Sequence, residues 1–242
     1  MRQSNTYIII FSIITTIILG GLLSLTSVGL AERQQIQVEL DTKKSILRAV
    51  MDIQKGDDVL GIYGDRIESL VVDHQGTRVE NDSEGVPLIA ENVSIEKNFK
   101  LDPEERLYPV FQFKGDNGEI DAYILPIYGN GLWDVIWGYL ALDKDLNTIK
   151  GVVFDHRGET PGLGARISEK DIQSRFVEKQ LYDQAGQLIS VSMLKGEGNP
   201  PESLGVHSVD GLAGATITAR GVNNMIKDYL SYYENYLKKI SS

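Results

Sequence analysis

The chain has 242 residues, enough for one domain or two small ones with a sizeable core. Its 24 Lys and Arg against 34 Asp and Glu give a net charge of −10. With no basic stripe to meet phosphates, nucleic acid is excluded as a partner. No Cys is present, which excludes disulfides, thiolate nucleophiles, cysteine-ligated iron–sulfur clusters, cysteinyl flavin links and lipidated-cysteine anchors. His74, His156 and His207 are scattered and share no helical or hairpin spacing, so a histidine metal site is not expected.

In chain order, Tyr7 to Ala31 is an uncharged run of 25 residues, long enough to span the hydrocarbon core as a helix with some tilt. Gly29 and Ala31 would make a small-x-small cleavage site before Glu32. The apolar run nevertheless exceeds the roughly 7–15 residues of a signal core, so a retained anchor is expected. Arg2 lies on one flank and Glu32–Arg33 cancel on the other. The positive-inside rule then puts the N-terminus in the cytoplasm and the rest outside. Glu32 to Lys55 reads as a helix with a partial apolar stripe, ended by Gly56-Asp57-Asp58. The organisation expected is an anchor over 1–31, a membrane-proximal helix or linker over 32–58 and a domain over 59–242.

Val59 to Phe99 is interrupted by Gly and Asp and gives only short strand signals. Tyr108–Phe113 and Ile120–Ile127 flank Asp116-Asn117-Gly118, a strong hairpin signal. Val135–Leu142 and Ile149–Phe154, joined by the polar turn Asp143–Thr148, continue an antiparallel meander. Ser168–Lys179 reads as a short helix with Ser168 at its N-cap, and Leu188–Leu194 as a strand. Val222, Ile226, Tyr229, Leu230, Tyr233, Leu237 and Ile240 recur at helical spacing and mark a C-terminal helix from about Ala219 to Ile240. The fold class expected is α+β: a twisted, mainly antiparallel sheet with packed helices.

Three loops rich in Gly, Pro and aromatics sit at element ends: Tyr128-Gly-Asn-Gly-Leu-Trp133, Gly158-Glu-Thr-Pro-Gly-Leu-Gly164 and Asp210-Gly-Leu-Ala-Gly-Ala-Thr-Ile-Thr218. Each alone is ordinary turn chemistry. Three in one domain point to a ligand site. In the third, Gly211 and Gly214 allow close backbone approach, and the helix that follows offers free N–H groups to a phosphate, with Arg220 beside it. Thr218 would cap that helix while Thr216 faces a ligand. Trp133 and Tyr128 offer flat surfaces, and Trp137 reads as core. Glu159 and Thr160, beside Gly162 and Gly164, bring polar groups toward a ring edge. The composition supports a phosphate-bearing aromatic ligand without naming it. Neither a dinucleotide fingerprint nor a P-loop is present.

Together these loops resemble the C subunit of the Na⁺-translocating NADH:quinone reductase, over nearly the whole chain. The family's flavinylation motif reads Asp-Gly-x-x-Ser/Thr-Gly-Ala-Thr, and its last Thr is esterified to the phosphate of FMN by a dedicated flavin transferase. That residue is Thr216 here, while Ala213 stands where the family usually has Ser or Thr. The resemblance implies FMN contacts at Leu132, Trp133, Glu159, Thr160, Gly162, Leu163, Lys195, Asp210, Leu212, Gly214, Ala215 and Thr218. Trp133, Thr160 and Leu163 would meet the ring. Lys195 and Asp210 would shape the phosphate and ribityl end, Asp210 through loop geometry or recognition by the transferase rather than contact, since like charges repel. The implied activity is that of an electron-carrying subunit, not catalytic alone, in a bacterial inner membrane with its domain on the periplasmic side. The implied partners are the other subunits, the transferase and the membrane.

The related G subunit of Rnf-type electron-transport complexes carries the same motif, but Gly129-Asn-Gly-Leu-Trp133 looks more like the quinone-reductase branch. A non-redox, membrane-anchored binding or scaffold domain is the rival from another class. A hydrolase would need a Gly-x-Ser-x-Gly elbow, which the sequence lacks.

Overall fold

A computed structural model describes residues 4–241. Arg2, on which the expected orientation rests, lies outside them. Two compact units divide the chain, 1–42 and 43–242. The first is the greater part of α1 (Asn5–Arg48), a helix long and apolar enough to cross a membrane, with its large apolar side chains exposed. The helix does not run on to Lys55 as the periodicity suggested. It closes in a turn at Ala49 and Val50, where the Ala49 carbonyl packs so close to Gly151 that a Cβ there would overlap it.

The second unit is an α+β domain. Where only strand signals were legible, α2 (Val59–Arg66) forms first, then β1 (Ile67–Val72). The Asp58 carboxylate caps α2 by accepting from the Gly61 amide at 3.0 Å, satisfying an N–H that the first turn leaves free. After a turn-rich stretch holding α3 (Ile95–Asn98), the meander follows: β2 (Tyr108–Lys114), β3 (Ile120–Asn130), β4 (Val135–Asp143) and β5 (Ile149–His156). All four pairings of the five-stranded sheet are antiparallel, in the order β1-β2-β3-β4-β5. Gly118 takes φ +78 in the β2–β3 hairpin, as the Asn-Gly signal requires.

Both faces of the sheet are covered, which explains the apolar density of its strands. On one face lies α5 (Thr216–Ile240), which buries Val222, Met225, Ile226, Tyr229, Leu230, Tyr233 and Leu237 against Leu125, Ile127, Ile136 and Leu140. On the other, Phe111, Phe113, Ala122, Ile124 and Ala141 are buried, with Arg66 stacked over Phe113. Trp137 is half-buried against the core.

Two expectations are corrected. The helix read over Ser168–Lys179 is a 3₁₀ turn (Gly164–Ser168) and a five-residue α4 (Lys170–Ser174). Ser168 caps nothing. Its hydroxyl donates back to the Ala165 carbonyl at 2.9 Å, and Glu178 at φ +64 ends any continuation. The strand read over Leu188–Leu194 shrinks to β6 (Ser192–Met193), paired in parallel with β7 (Ser208–Val209), because Ser190 sits at φ +69 and breaks the extended run. The Asn223 side chain grips the Met193 backbone from both sides, at 2.7 and 3.1 Å, and pins β6 to α5.

Candidate functional site

The register decides what the loops can do together. Asn130 pairs with Val135, and Ile136 with His156, so the β3–β4 turn and the segment after β5 leave the same end of the sheet. The first turns of α5 arrive there too, with Gly221 so close that a Cβ would overlap the Asn130 carbonyl. Gly129 serves the same approach, since its Cβ would lie 2.9 Å from Met225 Cβ.

Glu159 lies between the three loops. One carboxylate oxygen accepts from the amides of Leu132 (2.8 Å) and Trp133 (3.0 Å), and the other from the Thr218 hydroxyl at 2.5 Å. A Cβ on Gly131 or Gly164 would overlap these oxygens, so both glycines make room for the carboxylate. Burial opposes its ionisation, but the Thr218 hydroxyl and the amides of Trp133, Leu132 and Asp134 outweigh that and hold its pKa below the ordinary range.

In the third loop, a Cβ on Gly211 would overlap the carbonyls of Leu194 and Gly196, and Gly214 adopts φ +70. Leu163 of the second loop reaches over Gly214, 3.0 Å from where a Cβ would sit. α5 begins at Thr216, three residues ahead of expectation, with Ala215 at the cap position and no side chain capping it. Thr218 is therefore not the cap. It is buried, with its hydroxyl committed to Glu159. The Thr216 side chain is half-buried at the helix start, and among the described residues its hydroxyl has no hydrogen-bond partner.

The sequence-derived site residues thus sort by accessibility. Leu132, Trp133 and Leu163 are 43, 70 and 41 % exposed and form an apolar shelf beside exposed Thr160, Gly162 and Gly214. The Trp133 indole N–H donates to the Thr160 hydroxyl at 3.1 Å, which fixes the ring's edge. Glu159, Leu212, Ala215 and Thr218 are buried and support the loops from beneath. Lys195 is exposed, next to Leu194 and Gly196, whose carbonyls Gly211 approaches. Asp210 accepts from the amides of Gly198, Asn199 and Gly211 and from the Asn199 side chain, bonds that hold the turn between Gly198 and Gly211. Tyr128 is buried and packs on Phe99 instead of facing solvent.

Four residues that sequence reading passed over hold the third loop. Glu197 takes two bonds from the Arg166 guanidinium (2.7 and 2.9 Å), one from Arg175 (2.8 Å) and one from the Ala213 amide (3.4 Å). Arg175 also donates to the Gly211 carbonyl at 2.7 Å, and Asn199 bonds Asp210. The two arginines hold the Glu197 carboxyl down to about 2. No local pattern announces such a network, because its members lie 22 and 31 residues apart.

Residues 131–231 match the FMN-binding domain family. The C subunit of the Na⁺-translocating NADH-quinone reductase of Pseudomonas aeruginosa is 32% identical over 95% of this chain and 92% of its own length. The chain belongs to the family of Na⁺-translocating NADH-quinone reductase C subunits. The Neisseria meningitidis serogroup A member is 33% identical over 99% of this chain and 95% of its own. Among solved structures, the Parabacteroides distasonis member superimposes with a TM-score of 0.72 at 33% identity, covering 86% of this chain and 96% of that one. The Shewanella oneidensis NqrC gives 0.70 at 26% identity, covering 84% and 97%. The family match over 131–231 takes in the shelf and all three loops except the first strand residues of loop one.

The residues fit FMN. The shelf of Trp133, Leu132 and Leu163 offers a face to a flat ring, and the glycine-lined loop with a free hydroxyl at an uncapped helix start suits a phosphate.

Proposed function

We propose that this chain is the covalent FMN carrier of a Na⁺-translocating NADH:quinone reductase, with FMN esterified through its phosphate to Thr216. When bound, the flavin supplies electron-transfer chemistry and the protein supplies position and electrostatics. Thr216 Oγ1 would give up its proton and take the flavin phosphoryl group once, during maturation, from an activated flavin nucleotide whose phosphoanhydride breaks and whose other nucleotide leaves, and would take no part in turnover. Trp133 and Leu163 hold the ring, and Thr160 fixes the Trp133 edge. Arg175, Glu197 and Asp210 keep the acceptor loop folded around Gly211. The apolar part of α1 anchors the domain in a bacterial inner membrane, with the N-terminus inside and the domain on the periplasmic side, where it relays electrons between neighbouring subunits.

The single observation that carries this reading is the Thr216 hydroxyl, which has no hydrogen-bond partner among the described residues and lies in a loop that the exposed Leu163 reaches over. Thr216→Val, expressed with the transferase and run on a denaturing gel, is expected to lose all in-gel flavin fluorescence. Retained fluorescence in that variant would refute the acceptor assignment.

A further inference from the structure

We propose that Glu159 is the positioning residue that ties the acceptor helix to the ring shelf and sets the charge a flavin on Thr216 meets. This rests on the function proposed above.

Its two oxygens serve different halves of the site. One binds the Leu132 and Trp133 amides of the shelf at 2.8 and 3.0 Å. The other binds the hydroxyl of Thr218, two residues beyond Thr216 in the first turn of α5, at 2.5 Å. A single side chain therefore links the segment that holds the ring to the helix turn that holds the phosphate. Gly131 and Gly164 lie against the two carboxylate oxygens so closely that neither position could carry a Cβ. Glu159 is 4 % exposed, so it acts through its neighbours rather than by touching the flavin.

Among the described residues no Lys, Arg or His forms an ion pair with it. Neutral donors stabilise the anion without cancelling its charge. In a poorly screened interior that charge acts on the shelf and opposes the arrival of an electron there. Glu159→Gln keeps the shape and removes the charge.

Two measurements on the full chain in detergent test this. In the unloaded protein, Glu159→Ala is expected to speed amide hydrogen exchange across 131–134 by about tenfold or more, since bonds to a charged acceptor are lost. In protein loaded by the transferase, Glu159→Gln is expected to keep the mass increment of one FMN while the flavin midpoint potential moves upward and its visible circular dichroism changes. A purely structural role would leave the potential where it is. If Glu159→Ala does not fold, Glu159→Gln alone decides. Wild-type chain that takes up no flavin mass would refute the proposed function. Loaded wild type with an unmoved Glu159→Gln potential would refute the role of Glu159 only.

Discussion

Acidification is expected to loosen the acceptor loop through one group. Glu197 is bonded to two guanidiniums, and its pKa falls from an ordinary 4.5 to about 2. Because the folded value is the depressed one, the stabilisation is fully present above pH 4.5 and is lost as pH falls toward 2. A displacement of that size corresponds to about 3 kcal/mol by linkage. The side chain is 23 % exposed, and solvent screening brings the expected contribution to about 2 kcal/mol. Glu197→Gln removes the titration while Arg166 keeps Glu169 nearby and Arg175 keeps Asp210. Chemical denaturation of wild type and variant in the same detergent, from about pH 7 to about pH 2.5, should show a gap of about 2 kcal/mol at neutral pH that closes below about pH 4.5. The other carboxylates titrate in both proteins and cancel in the difference. A gap that stays constant across the range, or no gap at neutral pH, would refute the coupling of Glu197 to the two arginines.

Gly211→Ala forces a methyl group into the Leu194 and Gly196 carbonyls and should lower stability by about 1–3 kcal/mol, with a reduced flavinylated fraction by intact mass; unchanged values would show that the loop has slack. Trp133→Ala should alter the visible spectrum of the bound flavin while leaving attachment intact, and an unaltered spectrum would remove Trp133 from the ring contact. Ala213→Ser adds a hydroxyl at an exposed position and should leave the melting temperature unchanged while the flavinylated fraction stays level or rises. A falling fraction would mean that a hydroxyl at position 213 hinders attachment.

The meander and α5 were legible because their periods are clean: alternation with Asn-Gly at the turn, and a long 3.6-residue stripe. α2 was not, since Gly61 and Gly64 dilute its helix propensity, although Asp58 ahead of it was a readable cap. The helix read over Ser168–Lys179 ends at Ser174, with Glu178 barring its resumption, and the strand read over Leu188–Leu194 is broken at Ser190, two residues whose left-handed backbone no propensity marks. The three loops stood out by glycine content. What composition could not convey is which polar residues face the ligand. Glu159 read as a group at a ring edge and Thr218 as a helix cap, whereas the fold bonds them to each other across 59 residues of sequence. The Arg166–Glu197–Arg175 network is of the same kind, made by tertiary proximity alone.

At Gly129 and Gly221 the helix meets the strand with no glycine side chain to hold them apart. The spacing at Gly221 is fixed by main-chain atoms, so rotamer exchange among the neighbouring tyrosines and leucines leaves it untouched. A redesign of the hydrophobic interior that conserved total volume would therefore leave this contact in place, whereas one added methyl at position 221 would press on the Asn130 carbonyl and push the helix off the strand.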